Sequence, residues 1–116
     1  MKNIKIRLVA EDLQKVNAFC KSKGLSTNLY VRYGLADFVR SCGKITIEPY
    51  AKEKECQGEI SVNVSDALYE PLKRHGNMAG KVARHIMLTR LHADELRGDF
   101  VLVFNAEISK LMETDF

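Results

Sequence analysis

Between Asn3 and Leu8 apolar and polar side chains alternate, with Ile4, Ile6 and Leu8 on one face and Asn3, Lys5 and Arg7 on the other. A period of two over this stretch predicts a half-buried strand. The period then changes. Leu13, Val16 and Cys20 recur at spacings of three and four with Phe19 beside them, which predicts an amphipathic helix. Lys21-Ser22-Lys23-Gly24 closes it, placing cations and a glycine where a helix C-terminus favours them. Ser26 is positioned to cap a second helix, whose apolar stripe is Val31, Leu35, Phe38 and Cys42 and whose stop is Gly43.

The connection from Lys44 to Gly58 holds Pro49 and the alternating charges Lys52-Glu53-Lys54-Glu55; Ile45-Thr46-Ile47 is a candidate short strand and the rest reads as linker. Then the pattern starts again. Ile60, Val62 and Val64 alternate with Glu59, Ser61 and Asn63. Ser65-Asp66 can cap a helix bearing Leu68 and Leu72, expected to end at Lys73-Arg74-His75-Gly76. A further helix carries Ala79, Ala83, Met87 and Leu91 on one line, with Val82 and Ile86 beside it. An offset of 52 superposes Gly24 on Gly76, Arg32 on Arg84, Leu35 on Met87 and Val39 on Leu91. The strands need 56, which places Ile4 on Ile60 and Leu8 on Val64. The difference is about one helical turn, so the first helix of the second copy should be shorter by that much. Pro71 lies too deep in that helix for a free first-turn position and predicts a late start or a bend there.

The chain therefore reads as a duplicated strand–helix–helix: a first unit at 1–43, a linker at 44–58, a second unit at 59–97 and an extension at 98–116. In the extension, Phe100–Phe104 predicts a docked strand, with Ile45–Ile47 as a candidate partner. A short helix capped by Asn105 follows, with Ile108, Leu111 and Met112 on one side. One unit of ~40 residues cannot bury its apolar face alone. Two can, if their strands pair antiparallel and the four helices interlock beneath. The expected fold is mainly α with a small β ribbon, in one compact domain.

Charge sharpens this picture. Residues 1–44 carry nine Lys/Arg against three acids, residues 45–66 two against five, residues 67–97 six against three, and residues 98–116 one against four. Two basic modules alternate with acidic connections, within a net charge of +3. A hydrophobic content of 46% excludes a disordered chain, and no run approaches the ~18 apolar residues of a membrane span. Charges in Met1–Arg7 stand where a signal peptide needs its apolar run. Cys20, Cys42 and Cys56 form no CxxC pair and suit a reducing compartment, so a cytoplasmic protein is expected. His75, His85 and His92 show no ligand spacing with those cysteines, and no Walker loop, HExxH, GxSxG or framed carboxylate pair occurs. No enzyme activity, cofactor or metal is expected. Asp94 and Glu95 read as surface charge, Tyr30 and Tyr33 as core or rim aromatics, and Arg32, Arg40, Arg84 and Arg90 as helix-surface or pairing arginines.

Ile4-Lys5-Ile6-Arg7-Leu8, the helix after it, and Gly24-Leu25-Ser26-Thr27-Asn28-Leu29-Tyr30-Val31-Arg32 resemble the ribbon-helix-helix family of DNA-binding proteins. Within it they look most like the accessory proteins of plasmid mobilisation relaxosomes. The resemblance covers residues 3–42; the second copy, 59–91, matches in pattern, with Met78 in place of the capping serine and Glu59 on the outer face. It implies an intramolecular ribbon-helix-helix pseudo-dimer, one chain supplying both strands. A two-stranded ribbon fits the major groove of B-DNA, so Asn3, Lys5, Arg7, Glu59, Ser61 and Asn63 are the implied base contacts. Lys5 and Arg7 suit guanine, Asn3 and Asn63 adenine or phosphate, and Glu59 cytosine N4. At the second helix's N-terminus, Lys23, Ser26, Thr27 and Asn28 are implied phosphate contacts, matched in the second copy by Asn77, Gly80 and Lys81.

The implied function is sequence-specific binding of double-stranded DNA at an asymmetric site, in partnership with a relaxase or other DNA-processing protein. Two alternatives stand beside it: a repressor or antitoxin on the same fold, and a protein–protein interaction module that has lost DNA binding. An antitoxin tail would be disordered until bound, whereas Phe100–Phe104 looks foldable. The basic first block opposes the interaction module. The extension is expected to pack on the domain or on a second copy of the chain.

Overall fold

The computed structural model describes residues 2–41, 49–74, 79–98 and Leu111. Its elements are β1 (Lys2–Leu8), α1 (Ala10–Ser22), α2 (Thr27–Arg40), a 3-10 turn at Glu53–Glu55, β2 (Gly58–Val64), α3 (Asp66–Arg74) and α4 (Ala79–Arg97). The described residues are thus mainly helical, with one two-stranded antiparallel sheet. Each strand begins one residue before its alternating stretch, at Lys2 and Gly58, and ends with it, at Leu8 and Val64. Their register sets Asn3 opposite Asn63, Lys5 opposite Ser61 and Arg7 opposite Glu59.

Alternation becomes burial directly. Ile4, Ile6, Leu8, Ile60, Val62 and Val64 all face the core, none more than 7% exposed. α4 packs against β1, α2 against β2, and the two helices also touch each other. Val16, Tyr30, Leu35, Leu68, Leu72, Val82 and Leu91 complete the same cluster. Removing this apolar surface from water is what holds the layers together.

The helix ends follow their signals. α1 closes in a Schellman motif: Leu25 N–H donates to Cys20 O (2.9 Å) and Gly24 N–H to Lys21 O (3.2 Å). Gly24 supplies the left-handed backbone this needs, with φ +69°. Ser26 caps α2, its side chain accepting from Leu29 N–H at 3.0 Å. Ser65 does the same for α3, accepting from Leu68 N–H at 3.2 Å. α3 has nine residues to the thirteen of α1, the one-turn difference expected from the two offsets. The late start expected from Pro71 is not seen: α3 begins at Asp66 and continues through Pro71. The proline withholds a donor from the Ala67 carbonyl, and Ala67 lies on the exposed side of α3, where water can replace the lost bond.

The connection is more than a linker. Tyr50 is tied to both α1 and α4, and Cys56 is buried. Leu111 packs against the core, and its carbonyl accepts from Ser65 Oγ at 2.6 Å. The expected strands at 45–47 and 100–104, the Asn105 cap, and Cys42, Gly43, His75, Gly76, Asn77 and Met78 lie outside the described residues. No helix among the described residues is long and apolar enough to cross a membrane.

Candidate nucleic-acid interface

The pleat that buries six aliphatic side chains leaves Asn3, Lys5, Arg7, Glu59, Ser61 and Asn63 exposed together on the opposite face. All six base-contact candidates therefore share one surface, in three cross-strand tiers about 6.7 Å apart. At one end Arg7 Nε lies 3.9 Å from Glu59 Oε2, a loose ion pair between half-exposed side chains. Lys5 stands opposite Ser61 in the centre. At the other end Asn3 Nδ2 donates both to Ser61 Oγ (2.8 Å) and to Asn63 Oδ1 (3.0 Å).

The phosphate candidates divide. Ser26 is exposed and caps α2. Thr27 Oγ1 donates to Asn17 Oδ1 (2.8 Å), and Asn28 Nδ2 donates to the Ser61 carbonyl (3.1 Å), tying the start of α2 to α1 and β2. Lys23 Nζ donates to the Gly98 carbonyl at 2.7 Å, beyond the end of α4, where helix carbonyls favour a cation. In the second unit Gly80 brings α4 so close to β1 that a Cβ there would lie 2.5 Å from the Lys5 carbonyl oxygen. Lys81 next to it is exposed, and Asn77 lies outside the described residues.

Tyr50 was not singled out in the sequence, yet it organises the Arg7 end. Its hydroxyl donates to the Asp12 carboxylate and accepts from Val9 N–H (3.2 Å). Burial, then the bond to Asp12, push its pKa up to about 12. The Arg84 guanidinium stacks over its ring at 4.2 Å and donates to the Arg7 carbonyl at 3.3 Å. An open groove of about 350 Å³ lies between Tyr50 and α4, rimmed by Lys81, Arg84, His85 and His92. None of its lining residues is acidic, so positive charge continues from the ribbon along α4.

Asp94 corrects an expectation. It is not surface charge but fully buried, accepting from Tyr30 Oη at 2.6 Å and from Arg97, with Arg90 Nε at 3.6 Å. Arg90 also bonds Asp37 (2.8 Å), which Arg40 pairs from the other side at 2.8 Å. Arg40 and Arg90 are thus pairing arginines, and Tyr30 and Tyr33 are core aromatics. The signal was available: Asp94 lies three residues after Leu91 and seven after Met87, on the buried line of α4.

Among the described residues no group of three or more His, Cys, Asp or Glu is placed to hold a metal ion. Comparison with family models, curated proteins and solved structures finds no match to this chain.

Proposed function

We propose that the chain is a sequence-specific double-stranded DNA-binding protein that lays its ribbon in the major groove. The observation that carries this reading is the ribbon itself: one face wholly aliphatic and buried, the other bearing six exposed polar side chains in register. A two-stranded ribbon is narrow enough for the groove, and these side-chain types match the edges of bases.

The same reading makes the molecule a ribbon-helix-helix pseudo-dimer within one chain, and three relations support it. Offset by 56, Lys5 corresponds to Ser61, and these two pair with each other at the ribbon's centre, as a two-fold axis there requires. Offset by 52, Asn28 corresponds to Gly80; Asn28 bonds the Ser61 carbonyl while Gly80 abuts the Lys5 carbonyl, one approach made twice. Finally, each unit's second helix packs on the other unit's strand. The resemblance of residues 3–42 further supports an accessory role at a plasmid transfer origin, marking it for a relaxase.

Replacing Lys5 and Arg7 together by alanine tests the proposal. Both are exposed, so stability should change by no more than about 0.5 kcal/mol per site. DNA affinity should fall by about 1–3 kcal/mol per lost base contact, and sequence preference should flatten. Footprinting on DNA flanking the protein's own gene supplies the parent site. A double variant that binds this site and random duplex as the parent does removes the ribbon as the reading surface.

A further inference from the structure

The groove between Tyr50 and α4 has a defined order of side chains along it. Lys81, Arg84, Leu88 and His92 line it at successive spacings of three, four and four, on one face of the helix. Leu88 is the apolar member of this row, partly buried against the core, with Arg84 four residues before it and His92 four residues after. Pro49 and Tyr50 line the groove from the connection. That wall is held in place, because Tyr50 is anchored by Asp12, Val9 and Arg84. No acidic residue lines the groove. It therefore joins an apolar centre to two nitrogen-bearing ends, one a fixed cation and the other an imidazole with a donor for oxygen.

Each four-residue step along α4 advances about 6 Å. An extended peptide sets every second side chain on one face, about 6.7 Å apart. The two repeats agree within about 1 Å. A strand-like segment with the order acid–x–apolar–x–acid would thus lay its apolar side chain on Leu88 and Pro49 while its carboxylates reach Arg84 and His92. We propose that the groove is a docking site for an acidic, extended segment of this kind in another protein. Charge complementarity and the matched spacing select this occupant. The backbone of duplex DNA supplies negative charge but no apolar group to cover Leu88 and Pro49. Residues 98–116 of this chain are acidic, yet no acid–x–apolar–x–acid run occurs in them. Arg84, Leu88 and His92 belong to α4 and not to the outer face of the ribbon, so the proposal does not depend on DNA binding.

The probe is a blocked heptapeptide of serines with a central leucine and an aspartate two positions to either side. Titrated into the isotope-labelled full chain, it should move the amide resonances of Leu88, Thr89 and His92 saturably. A peptide of the same composition with its aspartates next to the leucine should bind about fivefold more weakly. One with glycine in place of the leucine should lose about tenfold. His92→Glu, at an exposed position, should weaken the probe about fivefold while its circular dichroism stays that of the parent. Exchanging one aspartate of the probe for lysine should restore binding to that variant and weaken it on the parent. Resonances that do not move overturn the proposal. So do equal binding of the two isomeric peptides and a His92→Glu variant that binds the probe as the parent does. If diluting the protein alone or adding a short duplex moves the same resonances, the groove belongs to a second copy or to DNA phosphates, and the proposal falls. The Lys5 and Arg7 double variant tests the DNA reading separately.

Discussion

Gly80 is the residue on which the seating of α4 under the ribbon depends, and alanine there should be destabilising despite its better helix propensity. The added methyl would lie 2.5 Å from the Lys5 carbonyl oxygen and 3.6 Å from its carbon. Close carbon–oxygen contacts between strands or helices settle near 3.3 Å, so α4 or β1 must move by about 0.8 Å. The obstacle is main chain in a paired strand, which has no rotamer to escape into. Overpacking of this kind costs about 1–3 kcal/mol, and a backbone obstacle places it in the upper half of that range. The gain of alanine over glycine in a helix is at most about 1 kcal/mol. The net loss should be about 1–2 kcal/mol, read from urea unfolding at neutral pH with Lys81→Ala as the control. Asn28→Ala, at the matching place in the first unit, removes one hydrogen bond and should cost about 0.5–1.5 kcal/mol. A Gly80→Ala protein as stable as the parent, or more so, would refute the close approach and the seating derived from it.

Three further outcomes are expected. Asp94→Ala should cost about 1–3 kcal/mol by leaving the buried Tyr30 hydroxyl without its acceptor, and Tyr30→Phe about 1.5–3 kcal/mol; the double variant should cost less than the two together, since both break one network. Burial alone would raise the Asp37 carboxyl, but hydrogen bonds from Arg40 and Arg90 outweigh it and hold it below its ordinary 3.8. Its contribution to stability is present above that ordinary value and lost as pH falls through the lower folded value, so Asp37→Asn should flatten the acid limb of urea midpoints measured below about pH 4. Tyr50 behaves oppositely. With its pKa raised from 10.0 to about 12, its contribution is present below pH 10 and lost as pH rises through 12, and Tyr50→Phe should remove a step near pH 12 from the phenolate absorbance titration.

What could be read from the chain alone was whatever depends on local periodicity. The alternation of Ile4, Ile6 and Leu8 forces a strand with one wet face, and its repetition at Ile60–Val64 forces a partner for it. Ser26, Gly24 and Ser65 act within a turn of themselves, so their caps could be placed without tertiary knowledge. Asp94 and Tyr50 are different. A carboxylate on a buried helical line is tolerable because Arg90 and Arg97 flank it on α4 and Tyr30 reaches it from α2, and the Tyr30 contact is the one that local pattern cannot supply. Tyr50 sits in a charged connection with no period of its own and is fixed by Asp12, Val9 and Arg84. Lys23 and Asn28 have the chemistry for a phosphate; their bonds to the Gly98 and Ser61 carbonyls are contacts that only the folded chain creates. The ion pairing of Arg40 and Arg90 through Asp37 likewise needs α2 and α4 side by side.

Because β1 and β2 belong to the same polypeptide, the ribbon forms by a first-order reaction. A ribbon assembled from two chains comes apart on dilution, and its folded population follows total concentration. Here pairing within one chain makes the ribbon's formation independent of protein concentration in principle, and the outer face is complete in a single molecule. Under the DNA-binding proposal, occupancy of a target should rise with the first power of protein concentration rather than the second. Separate coding of the two strands also frees each from the other: a substitution at Glu59 changes one side of the ribbon once, whereas in a symmetric pair of chains every change is made twice.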